Sequence, residues 1–175
     1  MIYWKSGKEA VHVWQDTVYP ENKAELYALL EAQLEALTEG EREPIPNLAN
    51  MSALLWGALR DINWAGFYLM KNGGLLLGPF QGKPACIRIP VGRGVCGTAA
   101  KALQTQRVYD VHQFPGHIAC DGASNSEIVI PLIAGEKLIG VLDIDSPLVG
   151  RFDEQDQTGL ESLCRLLVRG CDWEA

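Results

Sequence analysis

The 175-residue chain has no surplus of basic residues, with 15 Lys and Arg against 22 Asp and Glu and a formal net charge of −7. Nucleic-acid binding relies on Lys and Arg at phosphate contacts, so this charge argues against DNA or RNA as a partner. No apolar run approaches the roughly 18 residues that span a bilayer, which argues against a membrane partner. The N-terminal segment carries charges throughout and lacks the apolar region of a signal peptide. We therefore expect a cytoplasmic protein.

The chain also lacks any C-x-x-C pair, although it has five cysteines. In a reducing compartment, cysteines serve in the core, at metals or in catalysis more often than in permanent disulfides. Together with His112 and His117 they are enough ligands for zinc, but their spacing lacks the rhythm of a zinc ribbon. We therefore expect no metal, and we expect Cys164 to belong to the core and Cys171 to be incidental. The cysteines are Cys86, Cys96, Cys120, Cys164 and Cys171.

Apolar residues early in the chain follow the 3.6-residue period of two helices. Leucines recur every three to four residues over 26–37, and Gly40 with the prolines of 44–46 is expected to end this helix. Asn47 is predicted to cap a second helix, whose apolar stripe covers residues 48–59.

The period then changes to two, which predicts strands joined by short hairpins. This order favours an α+β fold, with an antiparallel sheet of about six strands and the helices on one side. A single domain is expected over 21–170, after an extension of uncertain role over 1–20, whose aromatics suit a partner surface. The predicted strands cover 63–70, 75–77, 85–91, 107–111, 127–133 and 137–145, with helices over 94–103 and after Asp153, and the extension's aromatics are Tyr3, Trp4, Trp14 and Tyr19.

Two aspartates, Asp143 and Asp145, end the most apolar predicted strand, KLIGVLDID. Alternation places both carboxylates on one face of that strand, roughly 7 Å apart. Burying a carboxylate is costly unless it is paired or protonated, and neighbouring carboxylates raise each other's proton affinity. We expect at least one of them to face a pocket, with a solvent-exposed cap at Asp145 as the alternative.

A long polar loop, residues 112–126, holds Cys120 among small residues. Long structured loops often carry function, and a free cysteine there is an oxidation hazard unless it is used. Cys120 is therefore a candidate nucleophile. Glu127 follows at the head of the next predicted strand and is a candidate acid.

Two further motifs bear on a pocket. Trp64 and Tyr68 share one face of the first predicted strand, and Gly66 leaves a hollow between them, although a plain core pair also explains this pattern. Residues 91–97 contain G-x-G-x-x-G, but hairpins rather than βαβ units surround it, which argues against a dinucleotide site. The motif instead indicates a helix N-terminus suited to a substrate carboxylate, where Cys96 is expected to have a lowered pKa.

Six segments are long, specific and in a fixed order: NWAGFYL, LGPFQGKPAC, RIPVGRGVCGTA, DVHQFPGHIACD, SNSEIVIPL and IGVLDIDS. Together they resemble the free methionine-(R)-sulfoxide reductases, a family built on the GAF fold, from about residue 22 to residue 168. The resemblance implies thiol-dependent reduction of free L-methionine (R)-sulfoxide through a cysteine sulfenic acid and an intramolecular disulfide. It also implies recycling by thioredoxin, no bound cofactor, and a cytoplasmic homodimer.

The resemblance further implies roles for individual residues. Cys120 is the expected attacking cysteine and Cys86 its disulfide partner, while Cys96 is a third family cysteine that could share the resolving role. The implied acidic pocket residues are Glu127, Asp143 and Asp145, with Asp110 as a further candidate substrate contact. We expect Glu127 and either Asp143 or Asp145 to protonate the sulfoxide oxygen, while the other aspartate binds the substrate ammonium. The implied aromatic wall, which receives the substrate methyl group, is Trp64 and Tyr68. The main alternative is a GAF-type small-molecule sensor without catalysis.

Overall fold

The computed structural model describes residues 17–118 and 120–173 of the chain. Its strands and helices form an α+β fold whose single sheet is antiparallel, as the sequence predicted. The helices are α1 (Lys23–Thr38), α2 (Pro44–Ala58), α3 (Gly94–Ala102) and α4 (Glu154–Gly170). The strands are β1 (Trp64–Lys71), β2 (Gly74–Gly82), β3 (Arg88–Pro90), β4 (Gln106–Val108), β5 (Ser126–Ala134) and β6 (Lys137–Ser146).

The six strands lie in the order β3-β2-β1-β6-β5-β4, and both faces of this sheet are buried. The long helices α1, α2 and α4 cover one face, where Phe67 and Ile144 contribute to the larger core. The short α3 differs from the expected one-sided arrangement, because it packs on the opposite face. There Ala99 joins a second apolar cluster with Val129 and Val141 of the sheet. This second face is where the candidate site lies.

The register of the central strands brings the singled-out residues together. Trp64 of β1 lies opposite Asp145 of β6, and Gly66 lies opposite Asp143. On the other side of β6, Glu127 of β5 also lies opposite Asp145. Directly opposed residues share a face of the sheet, and residues two apart on a strand do so as well. The three carboxylates and Trp64 therefore lie on the α3 face.

The second helix begins earlier than predicted. Pro44 is its first residue, a position that tolerates proline because the missing N–H would have no helical partner there. Asn47 lies inside the helix and is buried, so its predicted capping role is wrong. Its Nδ2 donates instead to the Glu41 carbonyl at 3.0 Å and to Cys171 Sγ at 3.4 Å. Cys171 is accordingly buried in the larger core rather than incidental, and Cys164 lies in the same core as predicted.

The N-terminal aromatics fall partly outside the described residues, which begin at Thr17. The partner-surface hypothesis for Tyr3, Trp4 and Trp14 therefore stays a prediction, as does the homodimer. Tyr19 packs against the larger core. Within the described part of the chain, no helix combines the length and apolar character needed to cross a membrane.

Candidate active site

A pocket opens on the α3 face of the sheet. Strand β1 supplies its aromatic wall, and β5 and β6 supply its acidic wall. The first turn of α3 and the loops that hold Cys86 and Cys120 form the other sides. Eight of the residues singled out in the sequence line this pocket, so the separate motifs belong to one site. Its lining includes Trp64, Tyr68, Gly94, Val95, Cys96, His117, Cys120, Asp121, Glu127, Asp143 and Asp145.

Cys86 and Cys120 are joined in a disulfide, with their Cα atoms 6.0 Å apart across a sequence separation of 34 residues. Cys120 is exposed and Cys86 is partly exposed, whereas Cys96 is a buried free thiol. The pairing that the family resemblance implied is therefore present. A disulfide at the mouth of a pocket is placed where a soluble dithiol can reach it.

A tight cluster forms the acidic wall. Cys96 Sγ, one carboxylate oxygen of Glu127 and one of Asp143 all lie within 4.8 Å of one another. Cys96 Sγ donates to Glu127 Oε1 at 4.0 Å, a weak contact. Glu127 is 6% exposed and Asp143 is 7% exposed. Asp143 Oδ1 has no hydrogen-bond partner among the described residues, so the pocket holds a buried acceptor available to a ligand.

Burial controls the protonation of these acids. Desolvation raises the pKa of Asp143 to about 6, because it outweighs the hydrogen bonds from Cys96 and Glu127. Desolvation also raises the pKa of Glu127 well above its ordinary value, and the charges of Asp143 and Asp145 add to this effect. The pKa of Asp145 is raised well above its ordinary value by the same burial and by Asp143. The wall can therefore hold protons near neutral pH.

The expectation of a lowered pKa for Cys96 is wrong. Desolvation raises the pKa of this thiol well above its ordinary value, and the carboxylates of Asp143 and Glu127 raise it further. The favourable field of the α3 N-terminus is outweighed because the sulfur is fully buried against negative charge. Cys96 is therefore a protonated thiol rather than an activated nucleophile.

The aromatic wall is more extensive than the sequence indicated. Trp64 stacks on Tyr68 with ring centroids 5.8 Å apart, and on Phe80 at 5.2 Å. A Cβ atom at Gly66 would collide with Phe80 and the Trp64 ring, so these side chains fill the predicted hollow. Phe80 lies opposite Gly66 in β2, within the LGPF segment, and was not singled out from the sequence. Trp64 Nε1 donates to the Lys83 carbonyl at 3.1 Å, which fixes the indole ring at the pocket.

The ion pair between Lys83 and Asp121 escaped the sequence reasoning because it depends on a contact between loops. Asp121 accepts from Lys83 Nζ at 3.1 Å and from Asn63 Nδ2 at 3.3 Å, which ties the loop of Cys86 to the loop of Cys120. His117, considered earlier as a zinc ligand, has its Nε2 3.7 Å from Glu127 Oε2. Lys83 lies in the segment GKPAC, and His117 and Asp121 lie in GHIACD, so these segments were the available signal for the three residues.

Asp110, a candidate substrate contact, does not line the pocket. Its carboxylate accepts from the backbone N–H of His112 at 3.0 Å and from Gln113 Nε2 at 2.9 Å, at the start of a 3₁₀ turn. The preceding strand ends at Val108, three residues before the predicted end at 111. The structure therefore places Asp110 as the cap of a turn, apart from the acidic wall.

Replacing Asp143 with asparagine should flatten the pH dependence of folding stability. Because the pKa of Asp143 is raised to about 6, its contribution is fully present below its ordinary pKa of 3.8 and is lost as pH rises through 6. We expect the wild-type chain to lose on the order of 2 kcal/mol more than Asp143→Asn between acidic and neutral pH. Urea unfolding of the wild-type chain and of Asp143→Asn, each with its disulfide intact, measures the difference across this pH range. If the free energy of unfolding depends on pH in the same way in both, the raised pKa of Asp143 is contradicted.

The chain is a GAF-domain protein with a cysteine-bearing pocket. The GAF domain family model matches residues 49–169. The free methionine-R-sulfoxide reductase of Escherichia coli is 61% identical over 148 residues, which cover 85% of this chain and 90% of that protein. The protein of the same name from Saccharomyces cerevisiae is 47% identical over 158 residues, covering 86% of this chain and 88% of that one.

A solved structure extends the likeness to three dimensions. The X-ray structure of free methionine-R-sulfoxide reductase from Neisseria meningitidis in complex with its substrate has a TM-score of 0.85 and 42% identity. The match covers 91% of this chain and 95% of that chain. The chain therefore belongs to the free methionine-R-sulfoxide reductase family of GAF-domain proteins.

Proposed function

We propose that the chain reduces free L-methionine (R)-sulfoxide to methionine, with Cys120 as the attacking sulfur. The observation that carries the proposal is that Cys120 lines a pocket with buried acids and is paired with Cys86. The free amino acid and the R configuration rest on the family to which the chain belongs.

The chemical step needs a nucleophile and a proton source together. The thiolate of Cys120 attacks the sulfoxide sulfur while the sulfoxide oxygen takes up a proton. The oxygen ends on Cys120 as a sulfenic acid, and methionine leaves. The sulfoxide sulfur is thereby reduced by two electrons and the cysteine sulfur is oxidised by two. A pocket lined by both a cysteine and a protonated carboxyl meets both requirements.

The three acids divide this work according to their protonation. Glu127 and Asp145, whose pKa values are raised well above the ordinary range, hold protons, and Glu127 donates one to the sulfoxide oxygen. Asp143, with a pKa of about 6, is ionised at neutral pH, and its unpaired Oδ1 suits the substrate ammonium. In this proposal the predicted catalytic role of Asp143 becomes one of substrate binding.

The S-methyl group and the carboxylate of the substrate each have a complementary part of the pocket. Trp64 and Tyr68 offer an apolar wall to the S-methyl group. Gly94 and Val95 line the pocket in the first turn of α3. Backbone N–H groups in a first helical turn lack helical partners and favour anions, which suits the substrate carboxylate. A peptide-bound residue would lack both the ammonium and the free carboxylate.

The catalytic cycle closes through the observed disulfide. Cys86 Sγ attacks the sulfenic acid of Cys120 and releases water, and a dithiol protein such as thioredoxin then reduces the disulfide by thiol exchange. The raised pKa of the buried Cys96 thiol supports Cys86 over Cys96 in this resolving role.

Cys86→Ser should convert the chain into an enzyme that turns over once. The first reduction stays intact because Cys120 keeps its pocket, but the sulfenic acid has no nearby thiolate to resolve it. Rapid-quench analysis should give about one methionine per chain, followed by turnover at least tenfold slower with thioredoxin. Cys164→Ala, a substitution remote from the pocket, is the control for a lost thiol. Normal recycling in Cys86→Ser would show that another cysteine resolves the sulfenic acid of Cys120.

NADPH oxidation coupled through thioredoxin reductase and thioredoxin tests the activity itself. Turnover is expected with the free R sulfoxide, with little or none for the free S sulfoxide or for a peptide-bound sulfoxide. Absence of turnover with all of these, in a chain that still binds free methionine sulfoxide, would favour a sensor without catalysis.

A further inference from the structure

One wall of the pocket brings together three possible zinc ligands, one cysteine thiol and two carboxylates. Cys96 Sγ and one oxygen each from Glu127 and Asp143 lie within 4.8 Å of one another, and all three residues are buried. We propose that this group, the Cys96–Glu127–Asp143 triad, is a binding site for Zn²⁺ that competes with the sulfoxide substrate. This inference goes beyond the proposed function, because the cation takes no part in the reduction.

The geometry of the triad is close to what zinc requires. Metal bonds of about 2.3 Å to sulfur and about 2.1 Å to oxygen hold tetrahedral ligand atoms roughly 3.5 Å apart. Cys96 Sγ and Glu127 Oε1 are already 4.0 Å apart, so side-chain shifts of less than an ångström suffice. Three protein ligands leave a fourth position for water, or for His117, whose Nε2 is 3.7 Å from Glu127 Oε2. A thiolate with two carboxylates selects Zn²⁺ over Mg²⁺ or Ca²⁺.

An independent observation shows that the triad contains an unsatisfied ligand atom. Asp143 is 7% exposed, and its Oδ1 lacks a hydrogen-bond partner among the described residues. A buried carboxylate oxygen without a partner is costly, and coordination to a cation would remove that cost. The same burial keeps the Cys96 thiol and Glu127 protonated, so binding would release protons from these groups.

The site overlaps the groups that the reaction needs. Zinc bound to Glu127 would remove the proton donor, and zinc bound to Asp143 would remove the partner of the substrate ammonium. Zinc would therefore act as a reversible inhibitor that competes with the sulfoxide. Cys96, which has no role in the reaction as proposed, supplies the thiolate that makes the site selective.

The disulfide form offers a clean test, because Cys86 and Cys120 are bonded to each other there and cannot ligate a metal. We expect this form to bind one equivalent of Zn²⁺ by titration calorimetry. With Co²⁺ as the probe, it should show a sulfur-to-cobalt charge-transfer band that Zn²⁺ abolishes. Cys96→Ser should lose the band and weaken binding at least tenfold, while Cys164→Ala should retain both.

Two results would overturn the proposal. One is the absence of stoichiometric binding to the folded disulfide form, and the other is an undiminished charge-transfer band in Cys96→Ser. If Cys96→Ser fails to fold, Asp143→Asn decides the question, since it keeps the thiol and should still weaken Zn²⁺ binding at least tenfold. The disulfide form does not turn over, so a negative result here leaves the reductase proposal standing.

Discussion

Replacing Cys120 with serine should abolish the reduction of free methionine sulfoxide, lowering kcat/KM by a factor of about 10³ or more. A serine hydroxyl is too weakly acidic to form an anion beside buried carboxylates, and its oxygen cannot take up the sulfoxide oxygen as a cysteine sulfur does when it becomes a sulfenic acid. Cys120 is exposed at the pocket mouth, so the loss should come without a loss of packing. Thioredoxin-coupled turnover measures the effect.

The same substitution removes the disulfide, so its effect on stability must be measured separately. Cys86→Ser is the matched variant, because it removes the same disulfide yet leaves the attacking sulfur in place. Urea unfolding should give the two serine variants similar stabilities, while only Cys86→Ser forms methionine in a single turnover. Residual activity above a tenth of wild type in Cys120→Ser would place the nucleophile elsewhere, with Cys96 as the first candidate.

Glu127→Gln should lower kcat by a factor of about 10² to 10⁴, the usual contribution of a positioned general acid. Glutamine has the shape of glutamate and preserves the burial, but it has no acidic proton to give to the sulfoxide oxygen. Desolvation raises the pKa of Glu127, so the wild-type chain keeps this proton at neutral pH and loses activity as pH rises through that raised pKa. The variant should lack this limb of the pH–rate profile.

Asp145→Asn is the comparison that separates proton donation by Glu127 from the loss of any protonated acid in the pocket. It removes a neighbouring acid on the same face of the sheet, and it should reduce kcat much less than Glu127→Gln does. Substrate KM should stay within a few fold for Glu127→Gln, because the ammonium partner Asp143 is intact. Near-normal turnover in Glu127→Gln would show that another group protonates the sulfoxide.

The periodicity of the sequence predicted much of the fold. The two-residue alternation of β1 and β6 placed Trp64 and Tyr68 on one face and Asp143 with Asp145 on one face, and the sheet register unites the two sets. A single strand pattern could not show that β5 would bring Glu127 to the same face, although its position at the head of that strand was recognised.

The errors share a physical origin in contacts between distant parts of the chain. The pKa of Cys96 depends on carboxylates supplied by β5 and β6, which the local motif around α3 does not contain. Phe80 gains its role through register with Gly66, and Lys83 through its ion pair with Asp121. Asp110 lies outside the pocket lining for a local reason, because a 3₁₀ turn replaces the last residues of the predicted strand.

The central claim is that the sulfur of Cys120 takes the oxygen from the substrate. Its most direct test is to treat reduced Cys86→Ser with one equivalent of free methionine (R)-sulfoxide, trap sulfenic acid with dimedone, and locate the adduct by peptide mass spectrometry. We expect one adduct per chain at Cys120, formed together with one methionine. Methionine formed without an adduct at Cys120, or with the adduct at Cys96, would contradict the claim.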